Sequence, residues 1–368
     1  MRLITVERCQ PGMKLGKTIR DENGKVLLCK GTELTSSLLA GLKRYRIFTI
    51  YIDDDESEGI EIIESIPAEL RAEAVSVITE GLNSLVDRKG NESIPQRMMQ
   101  TGRAVRSFQK VFKDILDCLS KNRVALNLLA TAKVHDNYLY SHCANVAIYS
   151  CQLAIANGLP IKKIEEIGLG ALLHDLGKMY IPPEVINKPD KLTNEEYDQI
   201  KTHCELGFDI LRKFHEIPLP VSHCALQHHE RLDGRGYPRG LKGDEIHQYA
   251  KILSVADVFD ALTSHRVYRP AMLPHRALEI LYAGSGTQFE IKQVQLFKDS
   301  IAVYPQGVTV TLNDGRKGIV SDYNFKSAGR PIIRVTRDEE QQVVTPYEID
   351  LSSKDHLCME IVEAEALL

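Results

Sequence analysis

His174-Asp175-Leu176-Gly177-Lys178 decides the reading of this chain, because the same side-chain types return downstream at His203, at the pair His228-His229 and at Asp257. Each lies in or beside an apolar segment. Leu169-Gly170-Ala171-Leu172-Leu173 runs into the first doublet, and Leu253-Ser254-Val255-Ala256 runs into Asp257. An unpaired carboxylate in such a run is costly to bury, so Asp257 calls for a cation. Taken singly, a histidine on an apolar face is more often a satisfied core residue. Taken together, imidazoles and carboxylates from several helices form the ligand set of a metal cluster.

Neighbouring residues on a helix project about 100° apart, so His174 and Asp175 serve one ion together only if the carboxylate reaches across. A bridging Asp175 resolves this, one oxygen joining His174 on a first ion and the other serving a second. His228 and His229 pose the same problem and would cap the second ion with His203. The remaining position on the first ion suits His142, on a helix running through Val146, Tyr149 and Leu153. His135, one helical face from His142, is intermediate, while His215, His223, His247, His265, His275 and His356 read as surface or structural.

Working outward, Thr193 and Glu196 stand at capping-box spacing before Tyr197, Ile200 and Cys204, which places His203 on a helix with an apolar face. Residues 131–303 read as an all-helical core. Residues 65–130 read as a helical linker, its first helix over Ala68 to Leu85, with a solvated connector and a dimerising element both open. Before it, 1–64 alternate short apolar runs with turn signals, including Asn23-Gly24, and predict a small β-rich domain with one helix around Leu34 to Lys43. After it, 304–368 carry strand-like runs broken at Asn313-Asp314-Gly315 and predict a small β domain, read as a barrel. The fold class is thus mainly α: an all-helical metal-binding core with a small N-terminal α/β and a C-terminal β accessory domain.

With 368 residues, two or three domains are expected. The 46 basic and 50 acidic residues leave a net charge of -4, which argues against a nucleic-acid polymer or anionic membrane as the main partner. No stretch approaches the ~20 apolar residues of a membrane span, and Met1-Arg2-Leu3-Ile4-Thr5 lacks a signal-peptide core. A cytoplasmic location is expected. The 8 cysteines form no CxxC pair and read as reduced, mostly buried small hydrophobes.

The segment from about Asp136 to Tyr268 closely resembles the HD-GYP subgroup of the HD phosphohydrolase superfamily. The resemblance rests on His174-Asp175 with Lys178, Ile181-Pro182 to Asn187-Lys188-Pro189, His203, His228-His229-Glu230, Asp233-Gly234-Arg235-Gly236-Tyr237-Pro238, and Val255-Ala256-Asp257 to Ala261-Leu262-Thr263-Ser264. It implies an all-α HD fold and a bacterial, metal-dependent phosphodiesterase that hydrolyses cyclic di-GMP to pGpG, and in some members onward to GMP, by attack of a metal-bridging hydroxide. Cyclic GMP-AMP or another nucleotide as substrate, or a receptor that binds cyclic di-GMP without turnover, are the alternatives.

By matched position, His142, His174, Asp175 and Asp257 would hold the first metal, and Asp175, His203, His228 and His229 the second. Three-metal members carry a glutamate where this chain has Tyr138, so two divalent ions, iron or manganese, are expected. Asp175 and Lys178 take catalytic roles. Lys178 would bind substrate by meeting charge on the phosphate oxygens, and Arg266 and Arg269 match family positions that contact substrate phosphate or guanine. Gly236-Tyr237-Pro238 shapes a loop near the site, meets a partner domain or is a structural turn. A homodimer and a GGDEF-type diguanylate cyclase are the partners that the resemblance brings with it.

Overall fold

A computed structural model describes residues 1–20, 25–45, 47–86, 94–121, 138–188, 190–264, 271–324 and 327–365. In the N-terminal unit, strands β1 (Arg2–Thr5), β2 (Lys14–Leu15) and β5 (Thr49–Asp53) form an antiparallel sheet in the order β1-β5-β2, while β3 (Ile19–Arg20) and β4 (Val26–Leu28) pair separately. The Asn23-Gly24 turn between β3 and β4 lies outside the described residues. Helix α1 (Ser36–Arg44) starts where the Thr35 hydroxyl accepts from Leu38 N at 3.2 Å, a side-chain N-cap.

The helical body follows as α2 (Ala68–Leu85), α3 (Ile94–Lys121), α4 (Tyr138–Ala156), α5 (Ile161–Leu173), α6 (Pro183–Ile186), α7 (Asn194–Lys201), α8 (His203–Leu211), α9 (Leu219–Gln227), α10 (Gln248–Thr263), α11 (Pro274–Ala283) and α12 (Ile291–Ser300). Its centre is α4, whose Cys143, Val146, Ile148, Cys151 and Leu153 are all buried; a helix apolar on every side must sit in the interior. α5, α10, α2 and α12 pack around it.

The stretch read as a linker buries its apolar face in this same core. Ile78, Leu82, Phe108, Phe112 and Ile115 belong to one cluster with Ile148 and Ile167. Glycines set the approach of the helices: a Cβ at Gly81 would meet the Phe108 ring at 2.2 Å, and one at Gly168 of α5 would meet the Phe112 ring at 1.8 Å. α2 and α3 are therefore structural members of the helical body rather than a solvated connector.

The C-terminal strands β6 (Thr309–Leu312), β7 (Lys317–Asp322), β8 (Ile332–Arg337), β9 (Val343–Asp350) and β10 (Ile361–Glu365) form one antiparallel sheet, order β10-β6-β7-β8-β9. The predicted turn joins β6 to β7, with Gly315 at φ +94°, open to glycine at no steric cost. The expected barrel does not close, since β9 and β10 are unpaired with each other among the described residues. Pro346 lies within β9 and has no N–H to give a second neighbour, which suits an edge strand.

The two β units meet although they lie at opposite ends of the chain. Leu3 N donates to Gly307 O at 2.8 Å, and Leu3 and Tyr51 share an apolar cluster with Val308, Val310, Val320 and Ile333.

Candidate metal centre

Helix ends aim most of the candidate ligands. α5 stops at Leu173; His174 is its C-cap, and Asp175, at φ -98° and ψ 8°, leaves the helix before a short 3-10 turn over Leu176–Tyr180. The two side chains are thus freed from helical spacing and both turn inward. Gly177 makes this turn sit directly on α8, where a Cβ would lie 2.0 Å from His203 O. His203 opens α8 after the capping box of Thr193 and Glu196 has started α7. His228 is the C-cap of α9 with His229 just beyond, while His142 and Asp257 project from the interiors of α4 and α10.

Asp175 lies at the middle of the cluster. Its Oδ2 is 3.4 Å from His174 Nε2 and 3.7 Å from His142 Nε2; its Oδ1 is 3.4 Å from His203 Nε2 and 3.7 Å from His228 Nε2. Asp257 Oδ1 lies 3.1 Å from His142 Nε2 and 4.0 Å from His174 Nε2. His229 approaches from the side of Asp257, its Nδ1 3.9 Å from Oδ2. Lys178 Nζ donates to Asp175 Oδ2 at 2.6 Å. The seven candidate metal ligands thus form one cluster, in which four of the histidines face Asp175 and His229 faces Asp257.

The tautomers follow from the surroundings. His174 Nδ1 faces Ala171 O at 2.6 Å, His203 Nδ1 faces Ile200 O at 2.7 Å, and His228 Nδ1 faces Cys224 O and Ala225 O, both at 3.0 Å. A carbonyl only accepts, so each Nδ1 carries the proton and each Nε2 turns its lone pair inward. His142 Nδ1 instead meets a carboxylate, Asp260 Oδ2 at 2.8 Å, and Asp260 Oδ1 accepts from Asn145 Nδ2 at 2.8 Å.

Two inward atoms, His174 Nε2 and Asp175 Oδ1, are buried with no hydrogen-bond partner. Leaving buried polar atoms unmatched is costly unless something else satisfies them. A divalent cation does so, and the nitrogen and oxygen donors fit such an ion. Burial also holds His203 down at about 4, helped by Lys178, and His229 at about 3 despite Asp257, so both imidazoles are neutral at neutral pH, the form a metal would need. Asp175 and Asp257 are ionised: burial opposes their charge, but the surrounding histidines, with Lys178 beside Asp175, hold both well below the usual carboxylate range.

The loop after His229 returns to the site. Glu230, 3% exposed, accepts from Arg239 N at 2.7 Å and Leu241 N at 2.9 Å and so ties the loop's far end to its start. A Cβ at Gly236 would lie 2.5 Å from Glu230 Cα and 2.6 Å from His229 O, so only glycine fits. The Tyr237 ring then rests 4.7 Å from that of His229. Of the three readings of Gly236-Tyr237-Pro238, the loop beside the site is the one this geometry favours.

Arg266 and Arg269, expected to contact substrate, lie outside the described residues, as do His135 and His265. His223 and His247 stack on each other and His275 on Tyr304, away from the cluster. Sequence reasoning missed Asp260 and Asn145. Their signal was present: each stands three residues after a candidate ligand, Asp257 or His142, and hence on the same helical face. Cys204 Sγ also reaches His203 Nε2, at 3.5 Å, but burial raises its thiol far above neutrality and leaves it a protonated neighbour.

A family model described as HD domain matches residues 123–292. The chain is 34% identical over 225 residues to a cyclic di-GMP phosphodiesterase of Pseudomonas aeruginosa, covering 61% of this chain and 54% of that protein. It is 35% identical over 229 residues to a cyclic di-GMP phosphodiesterase response regulator of Xanthomonas campestris pv. campestris, covering 61% of this chain and 56% of that one. A 3'3'-cGAMP-specific phosphodiesterase of Vibrio cholerae is 34% identical over 178 residues, 48% of this chain and 34% of its own length. The chain thus spans about half the length of the first two relatives. Among the described residues, no helix is long and apolar enough to cross a membrane.

Proposed function

We propose that this chain, which matches the HD domain over residues 123–292, is a metal-dependent phosphodiesterase of the HD-GYP type that opens cyclic di-GMP to pGpG. The observation that carries the reading is Asp175, whose two carboxylate oxygens face two different pairs of histidines. His142, His174, Asp175 and Asp257 would hold one divalent ion and Asp175, His203, His228 and His229 another, iron or manganese by family resemblance. Such a pair supplies a water of lowered pKa and positive charge for a phosphodiester.

The chain's own residues do the rest. The carbonyls on Nδ1 of His174, His203 and His228 keep each Nε2 aimed inward, so the donor atoms are arranged before anything binds. Lys178, 24% exposed at its side chain, joins the buried cluster to solvent and meets charge gathering on a non-bridging phosphate oxygen. Tyr237 covers His229 on one side and limits water there. Arg266 and Arg269 are assigned to substrate phosphate or guanine through bidentate and stacking contacts.

The similar identity to a cyclic GMP-AMP enzyme keeps that dinucleotide as the second substrate to test. Protein reconstituted anaerobically with iron or manganese is incubated with each dinucleotide, and products are separated by chromatography beside Asp175→Ala. Linear product from cyclic di-GMP only with the intact cluster supports the proposal. Tight binding without product favours a receptor, and turnover of cyclic GMP-AMP alone moves the substrate.

A further inference from the structure

A line of polar contacts leads out of the metal centre into a helix beyond the HD domain. Asp260, 2% exposed, divides its oxygens between His142 Nδ1 and Asn145 Nδ2. Asn145, 5% exposed, offers its own Oδ1 to Arg71 Nη2 of α2 at 3.4 Å. Arg71 lies in the field of Glu64. Glu64 accepts from Ala68 N at 3.1 Å at the start of α2 and pairs with Lys17 of the N-terminal β unit at 2.5 Å.

The Asn145 amide is the sensitive link. It must give its N–H to Asp260 and its carbonyl to the other side, and a side-chain amide rotated by half a turn would set its carbonyl against the Asp260 carboxylate. A guanidinium has donors and no acceptor, so Arg71 accepts only the correct orientation. Residue 71 lies outside the matched span 123–292.

We propose that Arg71 is a positioning residue of the metal centre: through Asn145 it orients Asp260, and through Asp260 the ring of His142. A helix outside the HD domain thereby completes the outer support of a ligand. The inference rests on reading the cluster as a metal site, and not on which nucleotide is cleaved.

Metal retention tests it without any substrate. The 368-residue chain loaded with manganese is exposed to a chelator, and bound metal is followed in time by mass spectrometry. Arg71→Met keeps most of the side-chain length while removing the donors; it should lose metal roughly 10-fold faster than wild type. Asn145→Ser, which cuts the same link from the other side, should match it, and Arg71→Lys should recover part of the loss. In an Asp260→Asn background the Arg71→Met change should add little, because both act through His142. Metal loss at the wild-type rate in Arg71→Met, or the same factor in both backgrounds, overturns the proposal. If wild type holds metal but leaves cyclic di-GMP intact, the phosphodiesterase reading falls, while a 10-fold effect of Arg71→Met still supports the positioning role. Wild type that takes up no manganese sinks both.

Discussion

Lys178 Nζ donates to Asp175 Oδ2 at 2.6 Å, so an ammonium at the cluster is held by the carboxylate that faces both histidine pairs. On the proposed phosphodiesterase reading, this charge would meet negative charge accumulating on a bound phosphate. Lys178→Ala should lower kcat/KM for cyclic di-GMP by roughly 10²- to 10³-fold while metal content stays near wild type. Loss of metal in parallel with activity would instead make Lys178 a support for Asp175.

Gly236→Ala should loosen the loop that covers His229. The new Cβ meets three backbone atoms of the 229–231 stretch, including Arg231 N at 2.5 Å, and backbone cannot swing away as a side chain can. The expected cost is about 1–3 kcal/mol, read as a lower Tm, together with reduced turnover as Tyr237 leaves the His229 ring. An unchanged Tm would show that the loop relaxes without penalty.

Acid should destabilise the metal-free protein. His203, held at about 4, and His229, held at about 3, are depressed mainly by burial, and both have an ordinary value of 6.5. Below about pH 6.5 the unfolded chain therefore binds protons that the fold refuses. Their stabilising contribution is full above that pH and is lost on the way down to pH 3–4, His203 alone on the order of 3 kcal/mol. His142 runs the other way: burial opposes its protonation, but hydrogen bonds to Asp257 and Asp260 outweigh burial and raise it. His174 and His228 are lowered like His203, mainly by burial, so the depressed group prevails. Tm measured in chelator should fall from about pH 7 to about pH 5; a rising Tm would mean that His142 dominates.

Phe112→Ala should unseat α3 from α5. The ring is 4% exposed and lies over Gly168, so truncation leaves a cavity between helices whose approach the glycine permits. A loss of about 3–5 kcal/mol is expected, measured by denaturant unfolding. A loss below 1 kcal/mol would indicate that α3 collapses onto the gap.

Much of the site was legible because its chemistry is carried by residue type in the wrong company. Histidine and aspartate inside Leu-, Val- and Ala-rich runs, such as Asp257 after Val255-Ala256, are costly to bury without a purpose, so they stand out in one dimension. The capping box at Thr193 and Glu196 and the turn at Asn313-Asp314-Gly315 were equally readable, since both are decided within four residues. What was misjudged depended on distant partners. The C-terminal strands alternate as barrel strands do, yet closure depends on β9 and β10 meeting, and no local pattern states that.

By itself, then, the sequence determined which residues are able to bind metal and that they lie on helices of an apolar body, because donor chemistry and periodicity are local properties. The tertiary structure alone decided that α5 ends at Leu173 so that His174 and Asp175 both turn inward, and that Asp260, Asn145 and Arg71 line up behind His142. It also brought Leu3 beside Val308 across the whole chain. Asparagine, arginine and leucine are common residues whose roles come from what they touch, and contacts between distant segments exist only once the chain has folded.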